Sequence, residues 1–337
     1  MGAMSKLNVS IMGGGSWGTT VASLVSRNAP VTLWARDSKT VDEINQHHTN
    51  ERYLPGASLP EKLSATNDIA EAVSNADVII MGIPSHNFRT VLEQVKLHIR
   101  AWVPVITLTK GLELETGMRM TEVIHDVMPG HPVGVLTGPN LAREIMAGQA
   151  AASVIAMDDP IIRKEMQTLF NSGLFRMYTN DDIIGCELGG VLKNIIAIAV
   201  GMGDGQGAGD NTRSALITRG LAEVTRLGIA MGGRAETFAG LAGMGDMIAT
   251  CTSNQSRNRH VGVELGKGRE MQEIIDDMLM VAEGVKSAPA VIALAEKYGV
   301  EMPIANDVYR VVTGESSALR AFRGLLRVTA GAESEPG

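Results

Sequence analysis

Cysteine is nearly absent: the 337 residues hold only Cys186 and Cys251. These two lie far apart and show no metal-ligand spacing. No disulfide framework and no metal site are expected, and a reducing compartment fits. An excess of basic charge is also missing. With 30 Lys and Arg against 37 Asp and Glu, the formal net charge is −7. That argues against nucleic acid as the main partner, because phosphate backbones require clustered cations. An anionic metabolite stays possible where a few basic groups converge. Nothing approaches the ~18 uninterrupted apolar residues of a membrane span. The N-terminus lacks the basic region, apolar run and small-residue cleavage site of a signal peptide. No fixed-period repeat points to a solenoid. These absences lead to an expectation of a cytoplasmic protein, away from membranes.

What is present reads as two domains, since 337 residues exceed one ordinary core. The apolar fraction of 45% and charged fraction of 20% are those of a globular chain. Short apolar runs at Leu7–Met12, Val31–Ala35, Asp77–Ile83, Val103–Thr109, Val133–Leu136 and Ala152–Met157 alternate with helical stretches. Near-continuous apolarity in Asp77–Ile83 marks a strand covered on both faces. The alternation predicts an α/β Rossmann-type, doubly wound, largely parallel sheet over residues 1–188. Strand signals then fade. Helical stretches at Val191–Val200, Arg213–Leu227, Ala288–Tyr298 and Ala305–Val312 predict an all-α substrate domain over 189–330. Gly201–Gly209 reads as a flexible connection, and 331–337 as a frayed tail.

The first strand runs into Gly13-Gly14-Gly15-Ser16-Trp17-Gly18, which satisfies G-x-G-x-x-G. The string alone is weak in a chain with 38 glycines. Its context, an apolar strand before and a helix then a strand after, makes it a dinucleotide fingerprint. Gly13 permits the tight turn, Gly15 the approach of the pyrophosphate, and Gly18 close packing of helix on sheet. The helix N-terminus supplies free N–H groups to the phosphates. At the end of the second strand stand Arg36 and Asp37. Arg36 favours a 2′-phosphate and hence NADP, while Asp37 leaves NAD open.

A dehydrogenase acting on an alcohol needs a group that takes the hydroxyl proton. His86, His125 and His131 have no acid placed to orient them, so surface or capping roles are expected. Lys110 lies at a strand end, where ligands bind in open α/β sheets. Lys193 interrupts an apolar helical run, and a charge there is costly unless it faces a wet site or a partner. A second ammonium nearby would lower its pKa and help it act as a base. Asp246 and Thr250 share one face if a helix starts at Asp246, although Asp246 reads equally as its N-cap. Ser256-Arg257-Asn258-Arg259 concentrates donors in a short loop, with Arg257 as the anion clamp. These residues point to a small anionic substrate without naming it.

Together the motifs resemble the bacterial-type NAD(P)-dependent glycerol-3-phosphate dehydrogenase family. The likeness is carried, in order, by GGGSWGT from Gly13, TKGLE from Thr109, GPNLARE from Gly138 and GGVLKNIIAI from Gly189. It continues through GDNTRSALITRGL from Gly209, GLAGMGDMIATCTSNQSRNR from Gly240 and VAEGVKS from Val281. The resemblance implies interconversion of dihydroxyacetone phosphate and sn-glycerol 3-phosphate, the source of glycerol phosphate for phospholipids, and a homodimer. It implies Lys193 as general acid/base, Lys110 as carbonyl-polarising and cofactor-contacting, and Asn194, Asp246 and Thr250 as orienting groups. Ser256, Arg257 and Asn258 would hold the substrate, with Gly138 and Asn140 in a further substrate block. Ser16, Trp17, Arg36, Ala142, Arg257, Val281 and Glu283 would line the dinucleotide. The chain departs from the family at Asn140, where G-P-[ST]-x-A carries a small hydroxyl, which leaves a contact from that position open. Related 3-hydroxyacid or sugar-phosphate dehydrogenases share the two-domain plan, but the SRNR and GLAGMGD blocks set this chain apart.

Overall fold

The computed structural model describes residues 7–278 and 282–325, so Val281 and the expected tail lie outside the described residues. Contacts divide the chain into two compact units, Met1–Thr109 with Met120–Ile183 and Lys110–Arg119 with Ile184–Gly337. Lys110–Arg119 thus packs with the second unit although it lies inside the first in sequence.

The first unit carries strands β1 (Val9–Met12), β2 (Val31–Trp34), β3 (Ser64–Thr66), β4 (Val78–Met81), β5 (Val105–Thr107), β6 (Val133–Thr137), β7 (Ala151–Met157) and β8 (Phe175–Asn180). Between them lie α1 (Ser16–Val25), α2 (Ser38–His47), α3 (Ile69–Val73), α4 (Ser85–Lys96), α5 (Met120–Val127), α6 (Ala142–Met146) and α7 (Pro160–Phe170). The strand order is β3-β2-β1-β4-β5-β6-β7-β8. It is parallel from β3 to β6, then β7 pairs antiparallel to β6 and β8 parallel to β7. The winding reverses between β1 and β4, so the crevice beyond their C-terminal ends is the place for a ligand. β1 and β4, VSIM and VIIM, are buried along their whole length. That is why these two strands are the plainest in the sequence.

Two strands carry no such signal. β3 is a three-residue SAT, and β8 alternates buried and exposed residues. Val103–Thr109 is also longer than the strand it contains, because only Val105–Thr107 pairs.

The second unit is helical: α8 (Ile183–Gly205), α9 (Asp210–Ala230), α10 (Ala235–Phe238), a π-helical turn (Leu241–Gly245), α11 (Asp246–Thr252), α12 (Arg257–Gly266), α13 (Met271–Asp276), α14 (Glu283–Tyr298), α15 (Pro303–Val312) and α16 (Ala318–Leu325). A boundary after residue 188 would cut α8 near its start. Every residue of α8 from Gly185 to Gly203 is buried. An 18-residue window of α8, with mean hydropathy 1.8, is long and apolar enough for a membrane span, and 89% of that window is buried inside the protein. A helix apolar on all sides is a core helix when other helices cover it.

The expected flexible connection at Gly201–Gly209 is corrected: α8 continues to Gly205. Its glycines serve a close helix crossing. A Cβ on Gly201 would stand 2.2 Å from the Arg259 carbonyl oxygen, and one on Gly205 2.3 Å from that of Val263. Gly262 and Gly266 answer from α12, at 2.1 Å from Ile198 O and 2.5 Å from Met202 O. Each glycine costs a helix about 1 kcal/mol relative to alanine, and here backbone-to-backbone packing offsets it. Similarly, α14 begins at Glu283 rather than Ala288 and passes through Pro289. Pro289 resembles a first-turn proline, but buried Gly284, Ser287 and Ala288 extend the helix upstream of it.

A buried acid ties two helices of this unit together. Glu223 of α9 accepts the backbone N–H groups of Ile304 and Ala305 at 2.8 and 3.2 Å, in the first turn of α15. Met302 at that N-cap offers no side-chain bond. Burial raises the Glu223 pKa from 4.5 to about 7, against the lowering effect of the two N–H bonds. The folded chain therefore holds this proton more tightly than the unfolded chain. The resulting stabilisation is present below 4.5 and is lost as pH rises through about 7. Its size is at most roughly 3 kcal/mol. Urea unfolding is expected to show Glu223→Gln with a smaller stability difference between about pH 5 and about pH 8 than the parent. An unchanged difference would rule out this role.

Candidate active site

The dinucleotide fingerprint lies at the switch point. Gly13 has φ +124°, and a Cβ there would fall 2.5 Å from the Gly82 carbonyl oxygen just beyond β4. A Cβ on Gly18 would stand 2.0 Å from Gly13 O, so α1 can leave the turn this closely only without a side chain. Gly15, by contrast, faces open space. It is the N-cap of α1 and provides no side-chain bond, which leaves the first-turn N–H groups to a phosphate. The indole Nε1 of Trp17 is buried without a hydrogen-bond partner. An open glycine, an uncapped helix start and an orphaned donor together fit a dinucleotide.

At the end of β2 Arg36 is exposed and carries no ion pair among the described residues. Asp37 caps α2, accepting from Lys39 N at 3.0 Å, and pairs with Arg52 at 3.6 Å. Its carboxylate is thus already engaged, and Arg36 is left for a ligand. Elsewhere in this unit, Gly138 has φ +132° just after β6, and Ala142 opens α6. Asn140 donates through Nδ2 to Ser153 Oγ at 3.0 Å, while its Oδ1 is buried without a partner. The extra bulk of Asn140 is therefore spent on β7. His131 contacts Val103 O through Nδ1 at 2.9 Å, and His86 and His125 are exposed.

The second unit gathers the candidate catalytic groups. Lys110 lies three residues beyond β5 rather than at its end, and it belongs to this unit. Leu112 of the same segment enters the helical core, and Arg119 pairs with buried Glu187 of α8 at 2.6 Å. Lys193, on α8, is only 5% exposed. Its Nζ donates to Asp246 Oδ1 and, at 2.5 Å, to Thr250 Oγ1. Lys110 Nζ donates to the other Asp246 oxygen at 2.6 Å. Asn194 Nδ2 reaches Lys110 O at 3.4 Å. One buried carboxylate therefore holds two ammonium groups.

Asp246 is not an N-cap. It follows the π-helical turn directly, as the first residue of α11, and its side chain caps nothing there. The glycines around it again serve close approach: a Cβ on Gly189 would meet Ala242 O at 2.6 Å, and one on Gly243 would meet Phe238 O at 2.2 Å. The turn thus lies directly on α8, one helical turn before Lys193.

Burial lowers the Lys193 pKa from 10.5 to about 8; Asp246 opposes the shift, and the charge of Lys110 adds to it. Lys193 can therefore exchange a proton near neutrality, as acid/base work requires. Cys251, next to this cluster in the sequence, is pushed up to about 12 chiefly by burial and stays a thiol.

Ser256, Arg257 and Asn258 are not in a loop. Ser256 caps α12, accepting from Arg259 N at 3.2 Å, and Arg257 is the first helical residue. Asn258 is buried, and its Oδ1 accepts Gly284 N at 2.9 Å. That bond joins α12 to the start of α14, where Glu283 stands beside Gly284. Arg257 is exposed and lies in the field of Glu283. Reading the sequence missed Asp204, which accepts from both Arg213 and Arg259. Its one signal was an acid in a glycine-rich stretch, taken as loop.

Residues 8–162 match the family model of the NAD-dependent glycerol-3-phosphate dehydrogenase N-terminus, and residues 182–323 that of its C-terminus. A glycerol-3-phosphate dehydrogenase [NAD(P)+] of Sphingopyxis alaskensis is 69% identical, with 98% of this chain and 100% of that protein covered. One from Mycobacterium tuberculosis is 51% identical, with 96% of each covered. The crystal structure of glycerol-3-phosphate dehydrogenase from Coxiella burnetii superposes with a TM-score of 0.92 at 38% identity, over 96% of this chain and 99% of that one. With a matching model in each half, the chain belongs to the NAD-dependent glycerol-3-phosphate dehydrogenase family.

Proposed function

We propose that this protein reduces dihydroxyacetone phosphate to sn-glycerol 3-phosphate with NADPH or NADH, and catalyses the reverse oxidation. The observation that carries the chemistry is the pair Lys110 and Lys193 on the one buried carboxylate of Asp246. The dinucleotide, when bound, supplies or takes the hydride at C2. Lys193 gives its proton to the C2 oxygen in reduction and recovers it in oxidation. Asp246 and Thr250 hold its Nζ, and Lys110 polarises the carbonyl and lowers the Lys193 pKa. Asn194 orients the site through Lys110 O.

The substrate phosphate is bound by Arg257, the Ser256 hydroxyl and the Asn258 amide nitrogen. The first turn of α12 adds its N–H groups and dipole. Asn258 keeps this role because only its oxygen is committed to Gly284. Within the first unit the dinucleotide is held by Gly13, Gly15, Ser16, Trp17, Gly18 and Arg36, with Ala142 contributing. This reading leaves Asn140 to its bond with Ser153 Oγ. It extends to a homodimer in the cytoplasm, with no nucleic acid or membrane partner, and sedimentation at micromolar concentration checks the dimer.

Steady-state kinetics on dihydroxyacetone phosphate with each nucleotide test the assignment. Turnover of a 3-hydroxyacid and none of dihydroxyacetone phosphate would overturn it. Arg36→Asp is expected to raise KM for NADPH by about 10- to 100-fold, the worth of charge-assisted phosphate contacts. KM for NADH should move far less. Equal changes would remove Arg36 from the 2′-phosphate.

A further inference from the structure

Arg259 follows the anion-holding residues on α12 but has different partners. Its Nε donates to Asp204 Oδ2 at 2.8 Å, and a second guanidinium nitrogen lies 2.6 Å from the same carboxylate. Nη1 donates to Asn254 Oδ1 at 2.8 Å, and the backbone N–H donates to Ser256 Oγ at 3.2 Å. One residue thus ties together the loop before α12, the helix's first turn and the end of α8. The other Asp204 oxygen accepts from Arg213 of α9 at 2.9 and 3.0 Å. The Asp204 side chain is 7% exposed and that of Arg259 16%. A carboxylate held by guanidinium groups on both oxygens has its orientation fixed.

The glycine crossing lies at the same place. Gly201 packs on the Arg259 carbonyl, and Gly262 on that of Ile198. α8 and α12 therefore run side by side in a fixed register, because a side chain at any of these glycines would force them apart. In that register the first turn of α12 falls beside Asn194: a Cβ on Gly284 would stand 2.8 Å both from Asn194 O and from Asn258 Oδ1. Asn194 is the neighbour of Lys193. All these groups belong to the second unit.

We infer that Asp204 and Arg259 are positioning residues that hold the Arg257–Asn258 turn at a set distance from Lys193, and so select substrates by the spacing between carbonyl and phosphate. The inference rests on the proposed roles of Lys193 and Arg257. Neither positioning residue touches substrate. Binding energy from the phosphate orients the carbonyl only if the clamp and the proton donor share one rigid mount.

The test compares Asp204→Asn with Arg257→Met, on dihydroxyacetone phosphate and on dihydroxyacetone, which lacks the phosphate. Asp204→Asn is expected to raise KM for the phosphorylated ketone about tenfold or more, with kcat within about threefold. The pH midpoint of kcat should stay in place, and kcat/KM on dihydroxyacetone should be unaltered. A purely structural role would instead lower activity on both ketones alike, and that result overturns the inference. So does an unchanged KM in Asp204→Asn while Arg257→Met raises it. An unchanged KM in both variants removes Arg257 from phosphate binding and the inference with it. Arg259→Lys is the second variant should Asp204→Asn fail to fold. It keeps a charge for Asp204 and loses the arm to Asn254; the same KM rise supports the inference, and wild-type KM overturns it.

Discussion

Lys193→Met is expected to lower kcat by about 10²- to 10⁴-fold, the range for removing a general acid/base, while dinucleotide affinity stays near that of the parent. Methionine fills the same volume in a helix buried from Gly185 to Gly203, so no cavity opens and the charge alone is lost. Nucleotide titration followed by tryptophan fluorescence separates binding from turnover. Retained turnover would remove Lys193 from the mechanism. In the parent, reduction uses the protonated amine, so kcat for reduction falls as pH rises through about 8, and kcat for oxidation rises through the same point. Lys110→Met should move that midpoint upward, since the Lys110 charge depresses the Lys193 pKa. A midpoint that stays in place would mean that Lys110 acts on substrate alone.

Asp246→Asn has the second large effect, and it acts on both stability and rate. The parent carboxylate is 1% exposed and accepts from both lysines. An amide there leaves two ammonium groups facing each other without a counter-charge. Removing one partner of a buried ion pair costs about 3–5 kcal/mol, and Lys110, whose side chain is 19% exposed, tempers that through solvent. Asp246 also opposes the depression of the Lys193 pKa, so its loss drives that pKa further below about 8. The variant should therefore unfold at lower urea and lose its proton donor at a lower pH in the reduction profile. Parent-like unfolding together with a parent-like profile would mean that the carboxylate neutralises neither lysine.

Much of this was legible because local chemistry forced it. β1 and β4 are apolar on both faces, and Gly13 and Gly14, between β1 and α1, admit no side chain without a clash. A lysine inside VLKNIIAIAV needs a partner whatever the fold. Other features depend on groups distant in the chain. β3 pairs at an edge beside β2 with only three residues, too short for a periodic signal. Gly201 and Gly205 read as a loop because their partners, Gly262 and Gly266, lie about sixty positions later.

From residue order alone came the Rossmann-type sheet, the dinucleotide turn and the kinds of side chain available for catalysis, because pattern, spacing and the cost of burying charge are local. Assembly was another matter. The sequence could not show that Lys110 leaves its neighbours for the helical unit, that Asp246 serves two lysines rather than capping its helix, or that Ser256 caps α12 rather than lying in a loop. Those outcomes depend on helix crossings that only close backbone contact permits, and a contact of that kind is a property of two segments at once.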